Sequence, residues 1–99
     1  MIVNNDLNTL KEIVLKYLGD QNVKVILFGS RARGDNTAVS DIDIGIVPKG
    51  EFDRYKLSLL NEYIDEHLNI PYKVDVVDFS IVSEIFKKVV LSQAIIWKN

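Results

Sequence analysis

Asp41 and Asp43 are separated by one residue in the run Asp41-Ile42-Asp43-Ile44-Gly45-Ile46. In an extended chain, residues two apart share a face and lie roughly 6.5–7 Å apart. Two carboxylates that close repel each other unless a cation sits between them. Magnesium suits that role, because it takes carboxylate and phosphate oxygens and keeps some of its waters. Two such ions about 3.5–4 Å apart can hold the attacking and leaving oxygens of an in-line displacement. A bare Asp-x-Asp is short, however, and solvated acids on the outer face of an edge strand look the same.

The neighbouring residues narrow the reading. Gly29-Ser30 precedes the acid pair by ten intervening residues, giving Gly-Ser-x10-Asp-x-Asp. Gly29 lets the backbone approach a ligand without a Cβ in the way. Amides exposed after a strand, at the start of a helix, form an anion site for β- and γ-phosphates. The Ser30 hydroxyl can donate to the same phosphates. Arg31 and Arg33 flank the turn. Either can neutralise triphosphate charge by forked hydrogen bonds, or pair on the surface with Asp35 or Asp53. Asp75 supplies a third carboxylate that can complete metal coordination and accept a proton from an attacking hydroxyl. Asp78 competes for that role but falls where its strand should be ending. His67 stands without a second histidine and reads as structural or solvated. Trp97, Tyr55 and Tyr63 read as packing residues; for Tyr72 packing is the simpler reading and base stacking stays open. Lys87-Lys88 reads as a solvated face.

These groups need a scaffold. Leu7, Leu10, Ile13, Val14, Tyr17 and Leu18 recur every three or four residues, which predicts a helix over 6–18. Asn5 or Asp6 is placed to cap it and Gly19 to end it. Val23–Phe28 is rich in β-branched residues and predicts a buried strand. A short helix is expected up to about Arg33, then a turn at Gly34-Asp35-Asn36. In a second strand over 41–47, Ile42, Ile44 and Ile46 take one face and Asp41, Asp43 and Gly45 the other. Pro48-Lys49-Gly50 should break it. Leu57, Leu60, Ile64 and Leu68 predict a helix over 51–68. A strand over 73–77 sets Val74 and Val76 opposite Asp75. A helix over 80–91 is expected to start at Ser80 and to turn Ile81, Ile85, Val89 and Phe86 inward. Ala94-Ile95-Ile96-Trp97 reads as a last strand or a docking tail. The sum is an α/β (α+β) arrangement: a small mixed sheet with helices packed on one side.

Composition bounds the rest. Ninety-nine residues suit a single domain over 1–99, and 47% apolar residues provide a core. A net charge of -2 argues against coating nucleic acid, which takes a basic excess. With no cysteine, disulfides, zinc–thiolate sites and thiol catalysis are excluded. The first residues show no signal-peptide pattern, and no apolar run approaches the ~20 residues of a membrane span, so a cytoplasmic protein is expected.

The Gly-Ser-x10-Asp-x-Asp pattern resembles the signature of the nucleotidyltransferase superfamily that includes DNA polymerase beta. The likeness is nearest to the minimal nucleotidyltransferases and extends over nearly the whole element order. It implies that Gly29 and Ser30 bind nucleotide phosphates, that Asp41 and Asp43 bind both magnesium ions, and that Asp75 is the third catalytic carboxylate. It also implies an antitoxin that moves AMP from ATP onto a tyrosine of a HEPN-type toxin encoded nearby. The same chemistry on a small molecule or an RNA end, and neutralisation by docking alone, are the rival expectations.

Overall fold

Alternation along two strands builds the centre of the molecule. In β1 (Val23–Phe28), Val23, Val25 and Leu27 face one side and Ile26 and Phe28 the other. In β2 (Ile42–Pro48), Ile42, Ile44 and Ile46 join the first side, leaving Asp43, Gly45 and Val47 on the second. A computed structural model, which describes residues 4–37, 40–67 and 72–99, sets these strands antiparallel, with Phe28 opposite Asp43. β3 (Val74–Asp78) runs parallel to β2 and pairs Asp43 with Asp75. β4 (Ile95–Lys98) pairs antiparallel with β1, so the tail is a strand. The order across the mixed sheet is β3-β2-β1-β4.

Two long helices, α1 (Asn4–Leu18) and α3 (Arg54–His67), cover the first face. Leu10, Val14 and Leu18 from α1, with Leu60 and Ile64 from α3, close the main core over the strand residues. At about 25 cal/mol per Å² of apolar surface, this layer supplies most of the stability. Leu68, assigned by its spacing to the same helix, and the side chain of Asn5 lie outside the described residues. None of the described helices is long and apolar enough to cross a membrane.

The opposite face is thin. Its cluster consists of Ile26, Phe28, Val47 and Phe79, with Val82, Val90, Leu91 and Ala94 at the margin. Val90 and Leu91 belong to α4 (Glu84–Leu91). Phe79 meets Phe28 edge-on at 5.3 Å between ring centres and lies over Gly45, where a Cβ would come within 2.8 Å of both its ring and Ile26.

Several boundaries differ from expectation for local reasons. α1 begins at Asn4, so Asp6 sits in its first turn and does not cap it. α3 begins at Arg54, not residue 51, because the Asp53 carboxylate accepts from the Tyr55 amide at 3.0 Å. Pro48 extends β2 as its last residue, opposite Val23. β3 is shifted one residue onward and includes Asp78. α4 is capped by Ser83, whose hydroxyl accepts from the Phe86 amide at 3.1 Å, and not by Ser80. The expected inward stripe of that helix is outward: Ile81 is 82% exposed, Ile85 80% and Val89 57%. Phe86 is also largely exposed, although its ring reaches Phe79. Tyr55 is exposed as well, whereas Tyr63 packs on Tyr17 and stacks on His67.

Candidate active site

The end of β1, the short helix α2 (Ser30–Arg33) and the start of β2 meet on the thin face. Gly29 precedes α2 with φ 76° and ψ -157°, a region that L side chains rarely enter. A Cβ built there would collide with the Asp43 carboxylate. Glycine is therefore required twice: for the backbone angle, and for room to seat the carboxylate against the turn. Backbone bonding in α2 begins with Ala32 and Arg33 donating to the Gly29 carbonyl at 3.1 Å. The amides of Ser30 and Arg31 stand ahead of that ladder, as first-turn amides do. Gly34 closes the helix in the left-handed conformation at φ 84°.

Asp43 is half-buried and pairs laterally with Asp75. Burial pushes its carboxyl above the usual carboxylate range, and the charges of Asp75 and then Asp41 push the same way. Lys73 and Arg33 oppose the shift. Asp41 is exposed just ahead of β2. Asp75 is 43% exposed and lies 3.8 Å from the Lys73 ammonium. Asp78 takes the other face of β3 by alternation. There it pairs with Arg54 at 3.1 Å and accepts from the Ser80 amide at 2.9 Å. Burial alone would raise its pKa, but the bonds from Ser80 and Arg54 hold it below the usual range. The structure thus brings Asp75, not Asp78, beside Asp43.

The two arginines part company. Arg33 is on the surface, 3.2 Å from Asp35. It also lines a cleft of about 260 Å³ with Gly29, Phe28 and α4. Arg31 turns inward and is 8% exposed. Its guanidinium donates to the Ser40 carbonyl at 2.7 Å and lies 5.1 Å from the centre of the Tyr72 ring. The sequence left each arginine open between the phosphates and a surface pair with Asp35 or Asp53; Arg33 makes the pair with Asp35, and nothing in residue type announces that Arg31 is buried.

The donor set suits a metal. Three carboxylates, with the pKa of one raised first by burial and then by the other two, fit a hard divalent cation. Among the described residues no three acids or histidines form a ready-made cage. That agrees with magnesium's habit of taking one or two carboxylates plus substrate phosphates.

The family model for polymerase beta nucleotidyltransferases matches residues 8–99. The Haemophilus influenzae protein named "Probable protein adenylyltransferase MntA" is 29% identical over 89 residues, covering 90% of this chain and 75% of its own. A Methanocaldococcus jannaschii protein bearing the same adenylyltransferase designation is 33% identical over 90 residues, 83% of this chain and 61% of its own length. A crystal structure of a toxin–antitoxin with AMP-PNP contains a chain that superposes with a TM-score of 0.65 at 25% identity, over 90% of this chain and 73% of that one. The chain therefore spans about three fifths to three quarters of these relatives.

Proposed function

The chain belongs to the polymerase beta nucleotidyltransferase family, and from that premise we propose that it moves AMP from ATP onto a hydroxyl of a partner protein, a tyrosine of a HEPN-type toxin, as an antitoxin. The observation that carries this reading is the seat of Asp43: against the Gly29 turn on one side and beside Asp75 on the other. A phosphate-holding turn and the acids for the α-phosphate are thereby adjacent. The adenylyltransferase designation of two relatives and the AMP-PNP in the toxin–antitoxin structure support the same donor and partner class. Residues 1–99 acting as one domain, in the cytoplasm, belong to the same reading.

In this reading the Gly29-Ser30 turn, with Arg33, holds the β- and γ-phosphates. Asp41, Asp43 and Asp75 would hold two magnesium ions, which when bound would neutralise the triphosphate and the developing charge. The acceptor oxygen bonds to the α-phosphorus as the bond to pyrophosphate breaks. Asp75, part-exposed beside Asp43, takes the hydroxyl proton.

The test is transfer from α-labelled ATP with magnesium, using the product of the adjacent gene as acceptor and Asp41→Ala/Asp43→Ala alongside. Label that vanishes in the double variant supports the reading. Equal transfer by the variant overturns it. Label in small molecules or RNA would redirect the acceptor. A second reading, neutralisation by docking, is favoured by the exposed Ile81, Ile85 and Val89 stripe. Toxin silencing that survives loss of all three acids would establish it.

A further inference from the structure

Arg31 is the buried charged side chain among the described residues, and no carboxylate pairs with it there. Its Nε has no hydrogen-bond partner among them either. A guanidinium removed from water and compensated so sparsely is a poor device for stability. Its contacts suggest what it is for. The Ser40 carbonyl it holds belongs to the residue immediately before Asp41, and the Tyr72 ring beneath it sits three residues before Asp75. Ser40 is gripped a second time, its hydroxyl accepting from the Thr37 amide at 2.8 Å. Arg31 itself sits in α2, two residues after Gly29. One side chain therefore touches the phosphate turn's own helix and the approaches to both strands that carry the acids.

We propose that Arg31 is a positioning residue, a strut that fixes Asp41 and Asp75 relative to the phosphate turn, with Tyr72 as the surface it braces against. The assignment rests on the nucleotidyl-transfer reading for its purpose, but on these contacts for its geometry. A strut differs from a phosphate ligand in what it controls. Loss of a phosphate ligand weakens nucleotide binding directly. Loss of a strut loosens the acids, so the metal suffers, and removing the bracing ring has the same effect as removing the guanidinium.

The experiment measures manganese binding by electron paramagnetic resonance in the presence of a non-hydrolysable ATP analogue. It compares the parent with Arg31→Met, Tyr72→Leu, their combination and Tyr72→Phe, with thermal melts on each. Arg31→Met and Tyr72→Leu should each weaken manganese binding roughly 10-fold, as loss of outer-shell support does. The combination should be no worse than the weaker single variant, since the two act as a unit. Tyr72→Phe, which keeps the ring face, should retain parental affinity. Parental manganese affinity in Arg31→Met with weakened binding of the analogue would overturn the proposal in favour of direct phosphate contact, and additive losses would overturn it too. If Arg31→Met does not fold, Tyr72→Leu decides: unchanged manganese affinity there refutes the strut. If the parent binds manganese through Asp41 and Asp43 yet transfers no AMP, the transfer reading falls and the variants' manganese affinities alone decide the strut. A parent that binds no manganese overturns both.

Discussion

Replacing Asp43 by asparagine should make the metal-free protein more stable at neutral pH while abolishing transfer. The reasoning starts from the raised pKa of Asp43, caused first by burial and then by Asp75 and Asp41. A carboxyl whose folded pKa lies above its unfolded value favours the fold while protonated. That contribution is fully present below the ordinary carboxylate range and is lost as pH rises through the raised value. Above that raised value Asp43 carries its charge beside the carboxylate of Asp75, its lateral partner in the β2–β3 pair. Relieving like charges across neighbouring strands is worth roughly 0.2–1 kcal/mol, and the half-exposure of the pair keeps the figure there. For a domain of this size that is a rise in Tm of about 1–8 °C. Paired melts of parent and Asp43→Asn in chelator, from pH 7 to pH 3.5, provide the assay. The stability gap should narrow as pH falls, because the parent then protonates and comes to resemble the amide. Adding magnesium with ATP should reverse the order, raising the parent and leaving the variant unmoved. An Asp43→Asn protein less stable than the parent at pH 7 without metal would refute the account of a repulsive acid pair.

Gly29→Ala should lose roughly 1–3 kcal/mol through its backbone angle alone and displace the Asp43 carboxylate; denaturant melts and transfer assays should fall together, and normal transfer would show that Asp43 need not sit against the turn. Asp78→Asn removes the charge that pairs with Arg54 and that strengthens the bond accepted from the Ser80 amide, and should cost about 1 kcal/mol. Because the Asp78 pKa is depressed, that loss is present above the ordinary carboxylate range and disappears as pH falls through the lowered value; transfer by the folded fraction should be parental. Ile85→Asp, on a site 80% exposed, should change stability by no more than about 0.5 kcal/mol and weaken capture of the partner in a pull-down if α4 docks it.

How much of this was legible in the sequence depends on which physical signal each residue sends. Alternation places Asp43 and Gly45 opposite Ile42, Ile44 and Ile46 because a period of two admits no second solution once one face is apolar. The short helix after Ser30 and the turn at Gly34 follow from glycine placement. Helix starts were missed where two cap candidates competed. Ser80 loses to Ser83 because its hydroxyl is engaged by Arg54 and its amide by Asp78. The outward stripe escapes periodicity because Ile81, Val82, Ile85, Phe86, Val89 and Val90 fill one continuous half of a helical wheel, although α4 itself starts only at Glu84. Periodicity finds a face there but not which face the sheet covers. Phe79, 2% exposed in a turn, belongs to no periodic run. Arg31 reads as a surface arginine until Tyr72, forty-one residues later in sequence, is known to lie beneath it.

The two faces of the sheet divide the work, and the division explains why a destabilising acid pair can persist. Among the described residues the helix-covered face holds eleven buried apolar side chains, from α1, α3 and alternate positions of β1 and β2. The other face holds four. Charges that repel must stay near solvent, where water screens them until a cation arrives, so Asp43 and Asp75 occupy the thin side and the thick side supplies the stability they lack. Gly29 and Gly45 mark how closely that thin side is still built. One makes room for a carboxylate and the other for the Phe79 ring, and each would turn a methyl group into a collision. Widening the hydrophobic cover over Asp43 would raise its pKa further and trade metal affinity for stability. The acid pair thus sets a limit on how complete the second core can be, and the exposed stripe of α4 lies on the side where that limit operates.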